Sequence, residues 1–465
     1  MKATKDLTTG NIWRNFILYN LPLLGSALLS SAYNTVDAMI AGKFISEHAL
    51  GAINATSSFD MIFHALFIGF AAGFSVYVAL LFGQKNYTRM KNDIVQVLML
   101  VAAVTVVISV CSILLRDPIM DYLKVDPVLR ADAERYFVIY TSGYIITYIN
   151  FVLVQTLHAL GVTSFSFYVS LISAVLNIGG NLLTVLVFDM GVAGLAVSTL
   201  FSAAAATAVY VILLRRAFCE LPSEKISYRF RLADVRRSLR YTVPAALQQL
   251  SYHGVGFLIA PSINGLGADA TTGYTVANRV NSICSNSFWS GAGALGCHTS
   301  QCVGAGKHEK IRKGLWVNLW ICIGILTPMM LAIIVLARPL TSVFFPAGYT
   351  GTAFQYAVRF LTFYLPFLFV NMLGHLLHAY MRGLGAMNVV MVVSLIGSAA
   401  RFVLTLLLTP SMGMDGIYTA WVIGWFADTV VSLAIFLLRY RTRKHILRAI
   451  GSKGNAKEQA GRKGD

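Results

Sequence analysis

The chain of 465 residues is short of charge, because Asp, Glu, Lys and Arg make up only 12% of it. A soluble globular protein carries roughly 25% charged residues, so this sequence cannot cover a surface that faces water. The shortage excludes a soluble enzyme, a soluble DNA-binding protein and a disordered scaffold. Hydrophobic residues account for 57% of the chain, which indicates that most of it lies in lipid.

Cysteine is scarce as well, and its six copies follow no disulfide or metal-site spacing. No two of them form a Cys-x-x-Cys pair, and most lie in apolar runs, so we expect small buried side chains. The sequence also lacks a His-Glu-x-x-His motif or another cluster of metal ligands. Because no nucleophile and base stand out, we do not expect an enzyme.

Long apolar runs separated by polar breaks predict twelve membrane-spanning helices. The fold class that we expect is therefore an all-α integral membrane protein. The predicted spans are residues 16–41, 52–82, 94–115, 135–158, 164–188, 192–214, 240–263, 272–303, 315–337, 354–380, 387–409 and 415–438.

The formal net charge of +17 is distributed unevenly between the two sides of these spans. If both termini are cytoplasmic, 28 Lys and Arg residues fall in cytoplasmic segments and seven in outside segments. Such a split is typical of the positive-inside rule. It predicts a multi-pass protein of the cell membrane with both termini in the cytoplasm, and it explains the basic charge without nucleic acid.

The second half of the sequence repeats the first when Pro22 is placed on Pro244. At this offset other landmarks coincide as well: Gly51 with Gly273, Lys85 with Lys307, Gly161 with Gly383, and Gly191 with Gly413. We expect two homologous six-helix lobes, 1–215 and 238–440, joined by a basic linker at 216–237 and followed by a disordered basic tail at 441–465. Because six is even, the lobes enter the membrane from the same side and should be related by a pseudo-twofold axis along the membrane normal.

Asp37 is the leading candidate for chemistry, because an ionisable group inside a span is costly and is retained for a function by default. Tyr33 and Asn34 precede it by four and three residues and share its helix face. The carboxylate can hold a proton, or it can anchor a sodium ion with neutral oxygens around it; the alternative is that it caps a backbone or faces the outer interface. Pro22, fifteen residues earlier, makes a bend available in the same helix.

Other ionisable residues in the spans have structural interpretations. Asp428 and Arg401 are expected to form an ion pair between the last two helices, since buried charges usually pair. Asp60 is expected to cap or face solvent near a helix start. His158 and His378 occupy similar places in the two halves, which favours inheritance from the repeat over metal binding.

Pro22 together with the stretch NTVDAMIAGK, the small-residue segment GFAAGFSVYVALLFGQKN and the duplication resemble the multidrug and toxic compound extrusion (MATE) family. This is a family of secondary exporters that exchange drugs, often organic cations, for sodium or protons. The resemblance runs from about residue 12 to 440. It implies that Asp37 is the family's first-helix aspartate and that Pro22 is its bending proline.

The resemblance also implies a cation site completed by Asn177, Asn181 and Thr199. Some members use an Asn, an Asp four residues on and a Thr eighteen beyond that; the spacing is met here, but Asn181 replaces the carboxylate. By itself, an amide pair four residues apart would as readily hold two helices together. One formal negative charge remains, at Asp37, enough for one Na+ or one H+. We lean towards the proton, because a cation prefers a charged ligand that this site has lost.

Another branch of the family places carboxylates in the seventh and tenth helices. Here Tyr252 and Asn371 lie near those positions, so the carboxyl half is expected to lack a cation site. With Gln248, these two residues are expected to contribute to a substrate cavity. Coupling should therefore run through the amino-terminal half.

The sequence thus predicts a secondary active multidrug efflux transporter that antiports organic, often cationic, compounds against H+ or Na+ by alternating access. We expect a monomer whose partners are small molecules and membrane lipid, with no cofactor besides the coupling ion. A flippase for lipid-linked oligosaccharides is the alternative, although only two arginines, Arg279 and Arg401, lie inside the spans to bind a pyrophosphate. An intramembrane enzyme is a remote third interpretation.

Overall fold

The computed structural model describes residues 4–40, 44–45, 47–123, 125–223, 230–345 and 348–440. The predicted tail at 441–465 and residues 224–229 of the predicted linker lie outside the described residues, as do the side chains of residues 34, 38, 47–50, 54, 58, 233 and 234. Throughout the described ranges the secondary structure is helical, without a strand. The expected all-α fold class is confirmed.

The described part of the chain contains sixteen α-helices, with short π and 3-10 turns after some of them. In chain order they are α1 (Ile12–Ile40), α2 (Glu47–Gly83), α3 (Tyr87–Leu114), α4 (Arg116–Tyr122), α5 (Pro127–Ser142), α6 (Tyr144–Ala159), α7 (Ser164–Leu182), a π turn (Leu183–Val187), α8 (Gly191–Glu220), α9 (Leu232–Asn264), α10 (Ala268–Gly304), α11 (His308–Val335), α12 (Ala337–Ser342), α13 (Thr352–Arg359), a π turn (Phe360–Tyr364), a 3-10 turn (Leu365–Phe367), α14 (Leu368–Gly383), α15 (Met387–Met412), α16 (Met414–Ile435) and a π turn (Phe436–Tyr440).

Each of the twelve predicted spans lies on one of these helices or on a consecutive pair. Nine segments of the described chain are long and apolar enough to cross a membrane, or ten if the bent pair α5 and α6 is one span. The two predicted spans outside this set are α9 and α10, which carry several serine, asparagine and glutamine residues. By length and composition alone, the structure thus supports ten of the twelve.

The chain divides into two compact units. Unit 1 comprises Met1–Asp6 and Leu21–Ala246, and unit 2 comprises Leu7–Asn20 and Leu247–Asp465. Helices α1 and α9 therefore each contribute residues to both units. In α1 the change falls just before Pro22, and in α9 it falls just after Pro244, the two prolines that the sequence repeat aligns.

The turns between helices recur in both units, but not at one fixed offset. After α2 the chain takes a positive φ at Lys85, and after α10 it does so at Gly306. After α6 the equivalent residue is Gly161, and after α14 it is Gly385. At the offset of the sequence repeat, Lys85 and Gly161 align with Lys307 and Gly383. The turns of unit 2 therefore lie one residue before and two residues after the aligned positions, because a single offset does not follow small insertions in turns.

The surface of the helices matches a lipid environment. Large apolar side chains such as Val107 and Phe201 are more than 60% exposed, as expected where the solvent is hydrocarbon. Four cysteines are buried as expected: Cys284, Cys297, Cys302 and Cys322. Cys111 on α3 and Cys219 on α8 are exposed instead. Cys111 lies in an apolar run, which in a membrane protein marks contact with lipid as well as burial, and Cys219 lies beyond the predicted span, beside Glu220.

Candidate functional site

Asp37 meets Asn181 inside unit 1. The carboxylate lies on α1 and the amide on α7, and Nδ2 of Asn181 donates a hydrogen bond of 2.6 Å to Oδ1 of Asp37. Asn181 is fully buried, so little solvent competes for this contact. A hydrogen bond to an ionised acceptor is shorter and stronger than a neutral one. Two residues that are 144 positions apart in the chain thus form the centre of the site.

The side-chain amide of Asn177 completes the surroundings of the carboxylate. One end of this amide lies 2.7 Å from Oδ1 and 3.1 Å from Oδ2 of Asp37, and its other end lies 3.3 Å from Oγ1 of Thr199. With its nitrogen towards Asp37, the amide donates to an ionised carboxylate. With its oxygen towards Asp37, it accepts from a protonated carboxyl group. One side chain can therefore satisfy both states by turning its amide over.

Helix α8 adds two hydroxyl groups to the site. Thr199 was expected there from the spacing of the family motif, and its neighbour Ser198 was not. The Ser198 hydroxyl donates to Oδ1 of Asn181. This contact occupies the amide oxygen of Asn181, and the amide nitrogen faces Asp37 as a result.

Two glycines let α8 and the segment formed by α7 and the π turn after it approach closely enough for these contacts. A Cβ at Gly180 would lie 2.9 Å from Cβ of Ser198, and one at Gly194 would lie 2.8 Å from Oγ1 of Thr184. Both distances are too short for real side chains. Small residues at such crossings are typical of helix packing in membranes, and here they place Asn181 against Ser198.

The other residues predicted on α1 are less closely involved. Tyr33 lies one turn before Asp37, but no hydrogen bond joins its hydroxyl to the carboxylate among the described atoms. Asn34 lies on the same helix, and its side chain is outside the described residues. Pro22 is inside α1, which stays helical around it, and the Ser26 hydroxyl donates to the Pro22 carbonyl at 2.9 Å. Such back-bonding often accompanies a bend.

A ladder of tyrosines in unit 1 escaped the sequence analysis. Tyr136, Tyr140, Tyr144 and Tyr148 follow one another along α5 and α6, with successive ring centroids 5.5, 6.0 and 5.1 Å apart. Their spacing of four residues was the signal in the sequence.

Helix α2 packs against both α5 and α6 and carries Asp60 thirteen residues after its first residue. Asp60 is therefore not near a helix start, contrary to expectation.

Unit 2 contains a polar cavity between α9, α14, α15 and α16. Its walls include the three expected cavity residues, Gln248, Tyr252 and Asn371. Its other lining residues are Gln249, His375, His378, Ser394, Gly397, Ser398, Arg401, Gly424, Trp425 and Asp428. The cavity has a volume of about 40 Å³, which suits a few water molecules and is far below the roughly 300 Å³ or more of a drug site.

The predicted ion pair between Asp428 and Arg401 is wrong. Nε2 of His378, on α14, lies 3.4 Å from Oδ1 of Asp428. The guanidinium carbon of Arg401 instead lies 4.0 Å from the ring centroid of Trp421, a cation–π contact. Formal charge alone suggested the pairing, but the helix faces bring a histidine to the carboxylate and an indole to the arginine.

Comparison with known proteins agrees with the duplicated helical fold. The family model described as MatE matches this chain twice, at residues 22–183 and at residues 244–407. The two stretches together cover more than half of the chain, and they begin at Pro22 and Pro244, the prolines that the sequence repeat aligns. The first copy includes Asp37 and Asn177.

Individual proteins resemble the chain over most of its length. The probable multidrug resistance protein YpnP of Bacillus subtilis is 22% identical over 90% of this chain and 93% of its own, and YoeA, of the same description and organism, is 24% identical over 74% and 75%. The structure of a MOP superfamily transporter from Pyrococcus furiosus superposes with a TM-score of 0.85 at 19% identity, covering 97% of this chain and 99% of the other. The chain belongs to the MatE family.

Proposed function

We propose that this chain exports drug-like compounds and that each export cycle is driven by a proton bound at Asp37. The substrate class is supported by the two relatives from Bacillus subtilis, both of which are described as probable multidrug resistance proteins. The coupling role is supported above all by one contact, the 2.6 Å hydrogen bond from Asn181 to Asp37. Ionisable groups inside a membrane helix are costly and are retained for a function by default. Because the amide donates to an ionised carboxylate, protonation of Asp37 weakens this contact.

The orientation of the amide groups favours a proton over a sodium ion. A hard cation needs several oxygen ligands to replace its water shell. Asn181 turns its nitrogen towards Asp37, and its oxygen accepts from Ser198 instead. A proton needs only one carboxylate oxygen and one acceptor, which Asp37 and the amide of Asn177 supply.

Protonation changes the contacts between α1 and α7. When Asp37 is neutral, the bond from Asn181 loses its charge assistance, and the Asn177 amide turns its oxygen towards the new O–H group. The hold of α7 on this part of α1 is then weaker. Pro22 lies fifteen residues earlier on α1 and removes one backbone hydrogen bond there, so a bend at this proline is the motion that we propose to follow.

Drug-like substrates would be bound by aromatic and small residues with few fixed polar partners. The half-buried rings of Tyr136 and Tyr140 on α5 supply such a surface within unit 1, whereas Tyr144 and Tyr148 are buried in its core. The flippase alternative is not favoured, because its pyrophosphate substrate calls for several cations. Arg401 is the only Lys or Arg among the residues that line the unit 2 cavity.

We further propose that the protein lies in the cell membrane with both termini in the cytoplasm, on the basis of the 28-to-7 charge split. In a variant that lacks the exposed Cys111 and Cys219, a membrane-impermeant maleimide added to intact cells should label a cysteine at Asp117. A cysteine at Ser452 should react only after the cells are broken. The reverse pattern would overturn this topology.

The coupling ion is tested with purified protein in liposomes that contain ethidium, a fluorescent organic cation. Efflux is recorded first under a pure proton gradient and then under a pure sodium gradient. We expect proton-driven efflux that Asp37→Asn abolishes. Efflux under the sodium gradient alone would overturn the choice of ion, and full efflux by the Asn variant would overturn the role of Asp37.

A further inference from the structure

A series of hydrogen bonds in unit 2 runs from Arg382 to His378, whose Nε2 faces Asp428. Nη1 of Arg382 donates to Oε1 of Gln248 at 3.2 Å. On the other end of that amide, Nε2 lies 3.1 Å from the Ser394 hydroxyl and 3.4 Å from Nδ1 of His378. Nε2 of His378 lies 2.9 Å from the Ser432 hydroxyl and 3.4 Å from Oδ1 of Asp428.

The hydrogen bonds from Arg382 through Gln248 determine which nitrogen of the His378 ring carries the hydrogen. An arginine can only donate, so the atom of Gln248 that faces Arg382 must be the oxygen. The amide nitrogen of Gln248 therefore faces His378 and makes Nδ1 an acceptor. In the neutral ring the hydrogen must then be on Nε2, on the side of Asp428. A second proton on Nδ1 would face the hydrogens of Gln248, so the ring is poorly placed to become an imidazolium.

Asp428 is the remaining place where a proton can add. Its side chain is 21% exposed, whereas that of His378 is 4% exposed, and both line the polar cavity. The cavity is large enough for a few water molecules to carry a proton to the carboxylate. Helix packing leaves room for the group, because a Cβ at Gly397 would lie 2.8 Å from Cβ of Asp428, and one at Gly374 would lie 3.1 Å from Oδ2.

The charged and titratable neighbours leave this carboxylate without an ion pair to a permanent cation. They are Tyr252 on α9, Tyr274 on α10, His375 and Arg382 on α14, and Arg401 on α15. Arg382 is directed to Gln248, and Arg401 packs on Trp421. No Lys or Arg of the described chain forms an ion pair with Asp428, so its charge depends on His378 and the cavity.

We infer that Asp428 is a second proton-binding carboxyl group, separate from Asp37, and that Arg382 and Gln248 position the imidazole of His378, whose Nε2 faces it. One proton from solvent adds to a carboxylate oxygen and forms an O–H bond, and the charge of the site changes from −1 to zero. This inference rests on the proposed function, because it gives the exporter a second proton per cycle. It departs from the expectation that the carboxyl half has no cation site.

The test is infrared difference spectroscopy of the full chain in lipid, recorded between alkaline and acidic pH. A carboxyl group that gains a proton gains a carbonyl stretch. We expect Asp428→Asn to remove one such band that Asp37→Asn retains. The control Asp415→Asn, which disrupts a peripheral pair with Arg359, should retain both the Asp428 band and the Asp37 band. A spectrum of Asp428→Asn equal to that of the wild type would overturn the inference. Loss of no band in Asp37→Asn would instead count against the proposed function alone.

Two further variants test the hydrogen bonds that position His378. Their outcome does not depend on whether Asp428→Asn folds. Gln248→Leu removes the amide that keeps Nδ1 an acceptor, so we expect the proton to move to the ring, with an imidazolium band replacing the carbonyl band of Asp428. Gln249→Leu is the matched control, because Gln249 lines the same cavity but is not part of the hydrogen bonds between Arg382 and His378. If Gln248→Leu retains the Asp428 carbonyl band, as Gln249→Leu should, Gln248 does not determine where the proton binds.

Discussion

The two units repeat a backbone plan but carry their carboxylates at different places. At the offset that aligns Pro22 with Pro244, Asp37 of unit 1 corresponds to Ile259 of unit 2. At the same offset, Asp428 of unit 2 corresponds to Ala206 of unit 1. Both counterparts are small or apolar and buried. Duplication has thus preserved the scaffold of turns and prolines, and the polar chemistry lies where the halves differ.

The surroundings of the two carboxylates differ as well. The carboxylate of Asp37 accepts a hydrogen bond of 2.6 Å from Nδ2 of Asn181 on a neighbouring helix. The carboxylate of Asp428 lies 3.4 Å from Nε2 of His378 and borders a cavity. The shorter contact depends more on the negative charge. Protonation should therefore disturb helix packing more in unit 1, where we place the driving step, than in unit 2.

Neutralising each carboxylate in turn gives the largest expected effect. Asp37→Asn should reduce proton-driven ethidium efflux from liposomes to the level of empty vesicles, because it removes the driving charge and keeps the side chain's size. Asp428→Asn should retain efflux but move fewer protons per substrate. Asp415→Asn is the control, and insertion is checked by size-exclusion chromatography. Complete loss in Asp428→Asn with efflux intact in Asp37→Asn would reverse the comparison.

Adding one methyl group between α7 and α8 should have the next largest effect. In Gly180→Ala the new Cβ would meet Cβ of Ser198 at 2.9 Å, so the helices must separate and Asn181 must move away from Asp37. Overpacking of this kind typically costs about 1–3 kcal/mol. The melting temperature of the purified protein and its efflux should both fall.

The neighbouring glycine provides a matched control for that change. A Cβ at Gly179 meets nothing within 4 Å, so Gly179→Ala should melt at or slightly above the wild-type temperature, since alanine favours a helix by up to about 1 kcal/mol. Equal melting temperatures for the two variants would show that the close approach of α7 and α8 is not needed.

Removing the neutral ligands of unit 1 should have a modest effect if the coupling ion is a proton. Asn177→Ala and Thr199→Ala each remove a partner worth roughly 1 kcal/mol, so we expect efflux to fall about fivefold, since about 1.4 kcal/mol corresponds to tenfold. Each variant is assayed under separate proton and sodium gradients. Loss of all efflux in both variants, with sodium as the only driving ion, would identify a sodium site.

The sequence predicted the helices well and the partners of side chains less well. Long apolar runs indicate spans because lipid leaves few alternatives to a helix, and each predicted span lies on one. The approach of Asn181 to Asp37 could be expected only from the family resemblance, since no local pattern links residues 144 positions apart. Ser198 gave no signal beyond its place beside Thr199. The contact of Asp428 with His378 was missed, because formal charges do not show which helix faces meet.

The smallest expected effect concerns the expected cavity residues of unit 2, which distinguish substrate binding from ion coupling. Tyr252 and Asn371 line the cavity with Asp428, but neither belongs to the series of hydrogen bonds that runs from Arg382 to His378. Tyr252→Ala enlarges the cavity and removes a ring that packs 5.6 Å from His375, and Asn371→Ala removes a neutral polar group. Because the cavity of about 40 Å³ cannot admit a drug as it stands, opening it should change the relative rates at which organic cations of different size are exported, with the same dependence on the proton gradient. A changed ion dependence with unchanged substrate preference would instead assign these two residues to the proton site at Asp428.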